Sequence, residues 1–376
     1  MNIVIAPNAF KGSLSAEETA NCIAKGIRQS NLSCKLDLIP IGDGGDGTAA
    51  LIAKKWNSRS VSVNVHDPLG RIIKASFEWV VKEKTALIEM SEASGLKLLK
   101  SNELNPLKAD SIGTGELITA SLNIDAKKII LAVGGSATVD GGTGLLKSLG
   151  VRFLNGSGKE ITELPAGLVD LKSINIDKLD HRLKACKIIV LCDVTNTLLG
   201  NNGAAKIFGP QKGASKKEVS LLEKCMEQFN AITKKSYGIN MSSMIYGGAA
   251  GGMAAGLAAF VNGKLVSGIE YFLDAVHFDD ALEKADLVIT AEGSLDEQTL
   301  EGKGPFGVAV RANKKKVPVI ALAGQVPLKI TKKMQNYFDV VFPITHAPSS
   351  VEEAIINTSA DLTRTSCELG NLLAFH

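Results

Sequence analysis

The chain has 376 residues, more than a single hydrophobic core usually serves, so two domains are expected. Hydrophobic residues make up 45% and charged residues 22%, an ordinary globular balance, and 42 basic against 39 acidic side chains leave a net charge of only +3. That near-neutral surface, with 5% aromatics, lacks the basic stripe and stacking platforms of a nucleic-acid binder, and no apolar run approaches the ~18 residues of a membrane span.

In chain order, residues 3–6 form a short apolar strand that enters the loop Pro7-Asn8-Ala9-Phe10-Lys11-Gly12-Ser13. Residues 1–7 lack the basic and apolar regions of a signal peptide, and six cysteines show no paired spacing, so a reduced, cytoplasmic setting is expected. Over 15–28, Ala20, Ile23, Ala24 and Ile27 recur at helical spacing, and Ser15 with Glu18 three residues on is a capping box. A strand over 36–41 leads through Gly42-Asp43-Gly44-Gly45-Asp46-Gly47 to a helix over 48–56. The segments 61–65, 72–80 and 86–90 alternate side chains as antiparallel or mixed strands do, with Asp67-Pro68-Leu69-Gly70 as a turn. Helices are expected near 115–122, 144–149 and 216–235, and strands over 128–133 and 187–191. The remaining stretch returns to alternation: helix 278–285, strand 286–290, helix 305–313, and strands 317–323 and 340–342. This grammar predicts an α/β fold of two domains. A parallel-sheet, Rossmann/flavodoxin-like domain formed by residues 1–57 and 278–376 is interrupted by an inserted α/β domain with a mixed sheet, residues 58–277.

Several loops combine glycine with a carboxylate, a lysine or a hydroxyl, which suits a phosphorylated ligand because glycine lets backbone N–H groups approach an anion. Gly42 to Gly47 matches a dinucleotide fingerprint in form, but two aspartates inside the turn would set negative charge against a pyrophosphate. Asp43 and Asp46 suit a metal-bearing or proton-accepting role instead; a solvated turn is the plain alternative. There is no Walker-type loop, since Lys303 follows Gly302 but precedes Gly304. Gly134-Gly135-Ser136-Ala137-Thr138 offers amides and two hydroxyls for phosphate, and Asp140 either joins them or caps the next helix. The glycines from 247 to 252 serve close helix packing or ligand approach equally well, and Gly209-Pro210-Gln211-Lys212-Gly213 completes the set. Lys11, Asp193, Glu292 and Asp296 all stand just beyond strands, where open α/β sheets bind ligands. Five histidines show no metal-ligand spacing, so any metal is expected to be hard and oxygen-bound, Mg²⁺ rather than Zn²⁺.

With these loops in place the chain resembles the bacterial glycerate kinases of the first type, whose members carry A-P-D-S-F-K-G-S-L-S, A-D-G-G-E-G-T, G-G-S-A-T-N-D-G-G, C-D-V-x-N-P-L-L-G, G-P-Q-K-G-A and E-G-x-x-D-x-Q-T followed by G-K-x-P. The matching segments run in that order from Ala6 to Gly307. The resemblance implies ATP-dependent, Mg²⁺-assisted phosphorylation of D-glycerate, most often to 2-phosphoglycerate, in a cleft between two α/β domains. Lys11, Ser13, Asp43, Ser136, Thr138, Asp140, Asp193, Glu292, Asp296 and Gln298 keep the family's residues. Asn8 replaces an aspartate, Ala9 a serine, Gly42 an alanine, Asp46 a glutamate, Val139 an asparagine and Thr197 a proline.

A kinase so built needs cations, backbone donors and a carboxylate near the attacking hydroxyl. Lys11 is expected to meet phosphate or glycerate charge. Asp43, with Asp193, is expected to serve as a metal-linked or proton-accepting carboxylate, and Asp46 as a second metal-side aspartate. Ser13, Ser136, Thr138, Asp140, Glu292, Asp296 and Gln298 are the expected substrate and phosphate contacts. Expected partners are ATP and D-glycerate, not nucleic acid or membrane. The competing class is a diverged, non-catalytic binder of a small hydroxy acid or nucleotide, favoured by Asn8 and Val139.

Overall fold

The computed structural model describes residues 1–296 and 302–375. Its contacts divide the chain into two units, Met1–Asp43 with Ile269–His376, and Gly44–Gly268. Residues 44–57 therefore group with the middle of the chain and 269–277 with its ends. Strands and helices are numbered along the chain.

The terminal unit holds β1 (Asn2–Ile5), β2 (Lys35–Leu38), β11 (Leu287–Ser294), β12 (Val319–Gln325) and β13 (Val340–Pro343). They form one sheet in the order β13-β12-β11-β1-β2, parallel at every pairing. Renumbered within the unit this is 2-1-3-4-5, the flavodoxin-type order, and the winding reverses between β1 and β11. Ile3, Val4 and Ile5 are buried because helices cover both faces, as parallel sheets require. Those helices include α1 (Ala16–Gln29), α9 (Gly268–Ala275), α10 (Phe278–Leu282), α11 (Gly304–Lys314), α12 (Lys332–Gln335) and α13 (Val351–Leu373). Helix α1 opens on the expected box, with Ser15 and Glu18 bonding each other's backbone N–H.

Helix α13, with 23 residues, has no counterpart among the expected elements. Its buried face is Thr358, Asp361, Leu362, Ser366, Leu369 and Gly370, mostly small or polar, so hydrophobic periodicity barely marks it. It packs on α1 at a point where Gly26 is required: a Cβ there would lie 2.2 Å from the Thr363 carbonyl oxygen and 2.7 Å from Ser366 Cβ.

The middle unit holds β3 (Arg59–His66), β4 (Ile72–Val80), β5 (Thr85–Glu89), β6 (Lys128–Ala132), β9 (Lys187–Cys192) and β10 (Lys264–Ser267) in the order β10-β9-β6-β5-β4-β3. Pairings β3–β4 and β4–β5 are antiparallel, and β5–β6, β6–β9 and β9–β10 are parallel, the expected mixed sheet. A separate antiparallel pair, β7 (Arg152–Leu154) and β8 (Ser173–Asn175), lies outside the expected elements. Around the sheet stand α2 (Thr48–Lys55), α3 (Ser91–Ser94), α4 (Ile112–Asn123), α5 (Thr143–Ser148), α6 (Ala204–Phe208), α7 (Lys216–Tyr237) and α8 (Met253–Val261). Ile129, Leu131 and Val133, alternating along and just past β6, enter the core that also takes Phe153 and Phe229. The rise of β6 and β9 in the same direction puts the loops after them at one end of the sheet.

Candidate active site

In the terminal unit a cavity of about 620 Å³ opens beyond the carboxyl ends of β1, β11 and β12. Backbone pairing of β1 with β11 continues past the strand, Ala6 N–H to Ile289 O at 2.8 Å and Asn8 N–H to Ala291 O at 2.8 Å, which carries Asn8 to the cavity wall. The Asn8 amide donates to Asp43 Oδ2 at 2.8 Å, a bond that an aspartate at this position could make only by carrying a proton. The chain then turns tightly between Phe10 and Leu14, with Gly12 at φ +80° in the turn, and presents Lys11 at the exposed tip. Ser13 Oγ ties this turn to α13 by donating to Ile355 O at 2.7 Å.

Lys11, Ser13, Asp43 and Glu292 thus line one cavity, as do Lys303 at the head of α11 and Ser350 at the head of α13. Glu292 is 6% exposed, at the end of β11. Asp296 sits two residues beyond that strand and is not among the lining residues; Gln298 lies outside the described residues. Thr358 and Asp361 of α13 also reach the cavity, and Asp361 Oδ1 is 2.7 Å from His346 Nδ1.

In the middle unit the loop after β6 packs against residues 44–46. Gly134 N–H donates to Gly44 O at 2.9 Å, and a Cβ on Gly135 (φ +71°) would strike the Asp46 carboxylate at 2.7 Å. Asp46 therefore stands over these glycines. Behind it, Glu89 at the end of β5 accepts from the N–H groups of Gly47 and Ala49 at 3.0 Å each and of Ala50 at 3.3 Å, capping α2 with a carboxylate. Burial pushes the Glu89 carboxyl above its usual range, and the Gly47 and Ala50 amides act against that rise.

Further along the loop, Asp140 is fully buried and its carboxylate is saturated. Oδ1 accepts from Gly142 N–H at 3.0 Å; Oδ2 accepts from Ser111 N–H at 3.1 Å, Ser111 Oγ–H at 2.6 Å and Gly144 N–H at 3.0 Å. Lys212 reaches the same loop from the Gly209–Gly213 turn and donates to Ser136 Oγ and Thr138 O, both at 2.7 Å. It is only 3% exposed, and burial pushes its pKa down to about 7 although Asp140 and Asp193 pull the other way. Asp110, which precedes α4, is pushed up to about 7, first by burial and, among smaller causes, by the Asp140 charge. Thr138 Oγ1 is buried with no hydrogen-bond partner. Val139 turns away from the loop's polar face and packs with Ala205 and Leu222.

Ser136, Thr138, Asp140 and Asp193 are gathered around Lys212. Lys212, Lys303 and Glu89 are functional candidates that spacing does not single out. Lys212 and Lys303 each sit beside glycine, which is the only local mark they carry, and Glu89 reads as an ordinary strand end.

Compared with known proteins, residues 3–374 match the family model described as the glycerate kinase family. Glycerate kinase of Bacillus cereus is 42% identical over 354 residues, 94% of this chain and 93% of the relative. Glycerate 2-kinase of Escherichia coli is 40% identical over 374 residues, 100% of this chain and 98% of the relative. The crystal structure of a protein described as glycerate kinase 2 from Salmonella typhimurium LT2 superposes with a TM-score of 0.81 at 40% identity, covering 99% of this chain and 98% of that one.

Proposed function

Because the chain belongs to the glycerate kinase family, we propose that it transfers the γ-phosphoryl group of ATP to D-glycerate, aided by Mg²⁺, and releases 2-phosphoglycerate. The observation that carries this reading is the terminal unit's cavity: two lysines and three carboxylates around a space at the switch point of a flavodoxin-type sheet.

Phosphoryl transfer asks a protein mainly for positioning and charge neutralisation. Lys11 and Lys303 supply cations to the polyphosphate, and the head of α13 adds the positive end of a long helix. Among the described residues no three His, Cys, Asp or Glu side chains cluster tightly enough to hold an ion by themselves. Asp43 and Glu292, at the strand-end side of the cavity, suit Mg²⁺, which keeps most of its waters and binds through one or two carboxylates plus phosphate oxygens. Asp43 would hold the ion, with Glu292 as the second carboxylate. When bound, Mg²⁺ neutralises phosphate charge.

The middle unit offers a neutral donor set suited to a small hydroxy acid. Ser136 and Thr138 contact glycerate, and Asp140 holds their loop in shape. Asp193 accepts the proton of the attacking hydroxyl as its oxygen bonds to the γ-phosphorus and the bond to the β,γ-bridging oxygen breaks, releasing ADP. Asp296, two residues past β11, and Gln298, outside the described residues, are the remaining proposed substrate or phosphate contacts. The two departures that favoured a mere binder support this enzyme reading: Val139 belongs to the packed interior, and Asn8 keeps a direct bond to Asp43.

A coupled assay with ATP, Mg²⁺ and D-glycerate tests the reaction, and phosphorus NMR of the product identifies the hydroxyl modified. Turnover giving a 2-phosphate supports the proposal. Calorimetric binding of glycerate without turnover would overturn it in favour of a binder, and a 3-phosphate would overturn the product assignment.

A further inference from the structure

We propose that Lys212 is a positioning residue that fixes the Ser136 hydroxyl as a hydrogen-bond donor to the carboxylate of the hydroxy-acid substrate. This rests on the glycerate kinase reading and assigns its substrate a polar anchor.

The argument begins with direction. A lysine ammonium only donates, so at 2.7 Å from Lys212 Nζ the Ser136 oxygen must accept. Its own proton is then free to point elsewhere, and no carbonyl or carboxylate of the described residues takes it. Thr138 meets Lys212 through its carbonyl, also at 2.7 Å, and its hydroxyl makes no bond to the lysine. The result is two hydroxyls on one turn, Ser136 with an unplaced proton and Thr138 Oγ1 with no partner at all. Buried polar groups in that condition await a ligand acceptor.

The charge balance identifies the acceptor. Around Lys212 stand Asp140 from its loop and Asp193 from the loop after β9, so this region carries more negative than positive charge. A polyphosphate would add repulsion that one buried lysine could not offset, whereas a single carboxylate, met by neutral hydroxyls, adds little. Gly135, which lies beside Ser136, is exposed, with the Asp46 carboxylate beside it.

Deprotonation makes the device reversible. Lys212 titrates near neutrality, and the neutral amine can accept the Ser136 proton, which removes the donor from the substrate. Glycerate binding should therefore weaken as pH rises through about 7.

The experiment measures KM for glycerate and for ATP separately, between pH 6 and pH 9, in the wild type, Lys212→Met, Lys212→Arg, Ser136→Ala and the Lys212→Met/Ser136→Ala double variant. Lys212→Met and Ser136→Ala are each expected to raise KM for glycerate by about ten- to a hundredfold, the worth of one to two hydrogen bonds, with KM for ATP within about twofold of wild type. The double variant should be no worse than Ser136→Ala alone, Lys212→Arg should restore part of the loss, and the wild-type rise of KM with pH should vanish in Ser136→Ala. Losses that multiply in the double variant, or an unchanged KM for glycerate in either single variant, overturn the proposal. If Lys212→Met does not fold, Ser136→Ala and its pH profile decide the matter alone. A wild-type protein that does not turn over glycerate overturns the kinase reading instead, so the two failures are distinct.

Discussion

Replacing Asp140 with asparagine tests whether this residue builds the loop or touches the substrate. The substitution keeps the shape, removes the charge and converts one oxygen into an NH₂ group. The oxygen belongs at the Oδ2 position, where Ser111 N–H, Ser111 Oγ–H and Gly144 N–H all converge between 2.6 and 3.1 Å. The NH₂ group then faces Gly142 N–H, donor against donor. One hydrogen bond to a charged acceptor is worth about 1.5–3 kcal/mol and a stranded buried N–H adds about 1 kcal/mol or more, while the three bonds that remain lose their charge assistance. The expected destabilisation is about 3–5 kcal/mol. For a unit of this size each kcal/mol moves the melting temperature by about 2–4 °C, so a fall of about 6–20 °C follows in the calorimetric transition of the middle unit. Below that transition Asp140→Asn should still turn over, with a raised KM for glycerate because Ser136 and Thr138 ride on the same loop. Ser111→Ala removes both the 2.6 Å donor and the acceptor that Leu145 N–H uses at 2.9 Å, so it should cost less than Asp140→Asn, and the pair should be less than additive. A variant that melts within about 2 °C of wild type yet has lost all activity would refute this reasoning and return Asp140 to the substrate.

Three further outcomes are expected. Gly26→Ala forces α1 and α13 apart, since its methyl would meet Thr363 O at 2.2 Å; a loss of about 1–3 kcal/mol with a raised KM for ATP is expected in denaturant titration and kinetics, and unaltered stability would mean the helices give way freely. Lys11→Met removes an exposed cation at the cavity without touching the core, so stability should stay within about 0.5 kcal/mol while kcat/KM for ATP falls about a hundredfold or more. Lys212 should make stability rise with pH: below about 7 both folded and unfolded chains hold its proton and burial carries its full cost, whereas between about 7 and 10.5 only the unfolded chain keeps the proton. The gain is up to about 5 kcal/mol, seen as a rise in stability from pH 7 to pH 10 that is larger in the wild type than in Lys212→Met.

The sequence revealed whatever the backbone expresses locally. The α1 cap is visible because Ser15 and Glu18 are three residues apart, and the sheet strands are visible because runs such as residues 129–133 are continuously apolar. Helix α13 is hidden for the opposite reason. It buries Thr358, Asp361 and Ser366 where periodicity looks for leucine, although Ser350 and Glu353 form the same capping box as in α1. The candidate residues divide along similar lines. Lys11, Asp43, Ser136 and Asp193 announce themselves by standing in loops just beyond strand ends. Lys212 does not, because its importance comes from what it reaches: Ser136 lies 76 positions away in sequence and 2.7 Å away in space. Asp140 shows the limit of motif reading from the other side. Whether a buried aspartate in a glycine turn caps or catalyses depends on how many donors meet it, and that number appears only after folding.

The cavity of the terminal unit depends on a sheet order that ignores the chain's interruption. Strand β1 has β2 as its neighbour on one side, a few dozen residues on, and β11 on the other, reached only after residues 44–268 have formed a unit of their own. Were the middle unit absent, the order 2-1-3-4-5 would be unremarked among flavodoxin-type sheets, and its reversal would still fall between the strands that bear Asn8 and Glu292. The reversal matters physically because helices leave the sheet in opposite directions there and cannot fill the space above the strand ends. Polar groups at that opening stay accessible without a loss of core packing, which is why Lys11, Asp43 and Glu292 can share it while Ile5 and Ile289, a few residues below, are wholly buried. Asn8 sits at the crossing of both constraints. Its backbone continues the β1–β11 ladder and its side chain fixes Asp43, so Asn8→Ala should leave the ladder intact and free the carboxylate, raising KM for Mg²⁺ while the melting temperature holds. A large fall in melting temperature with unchanged KM for Mg²⁺ would show that the amide serves the fold and not the carboxylate.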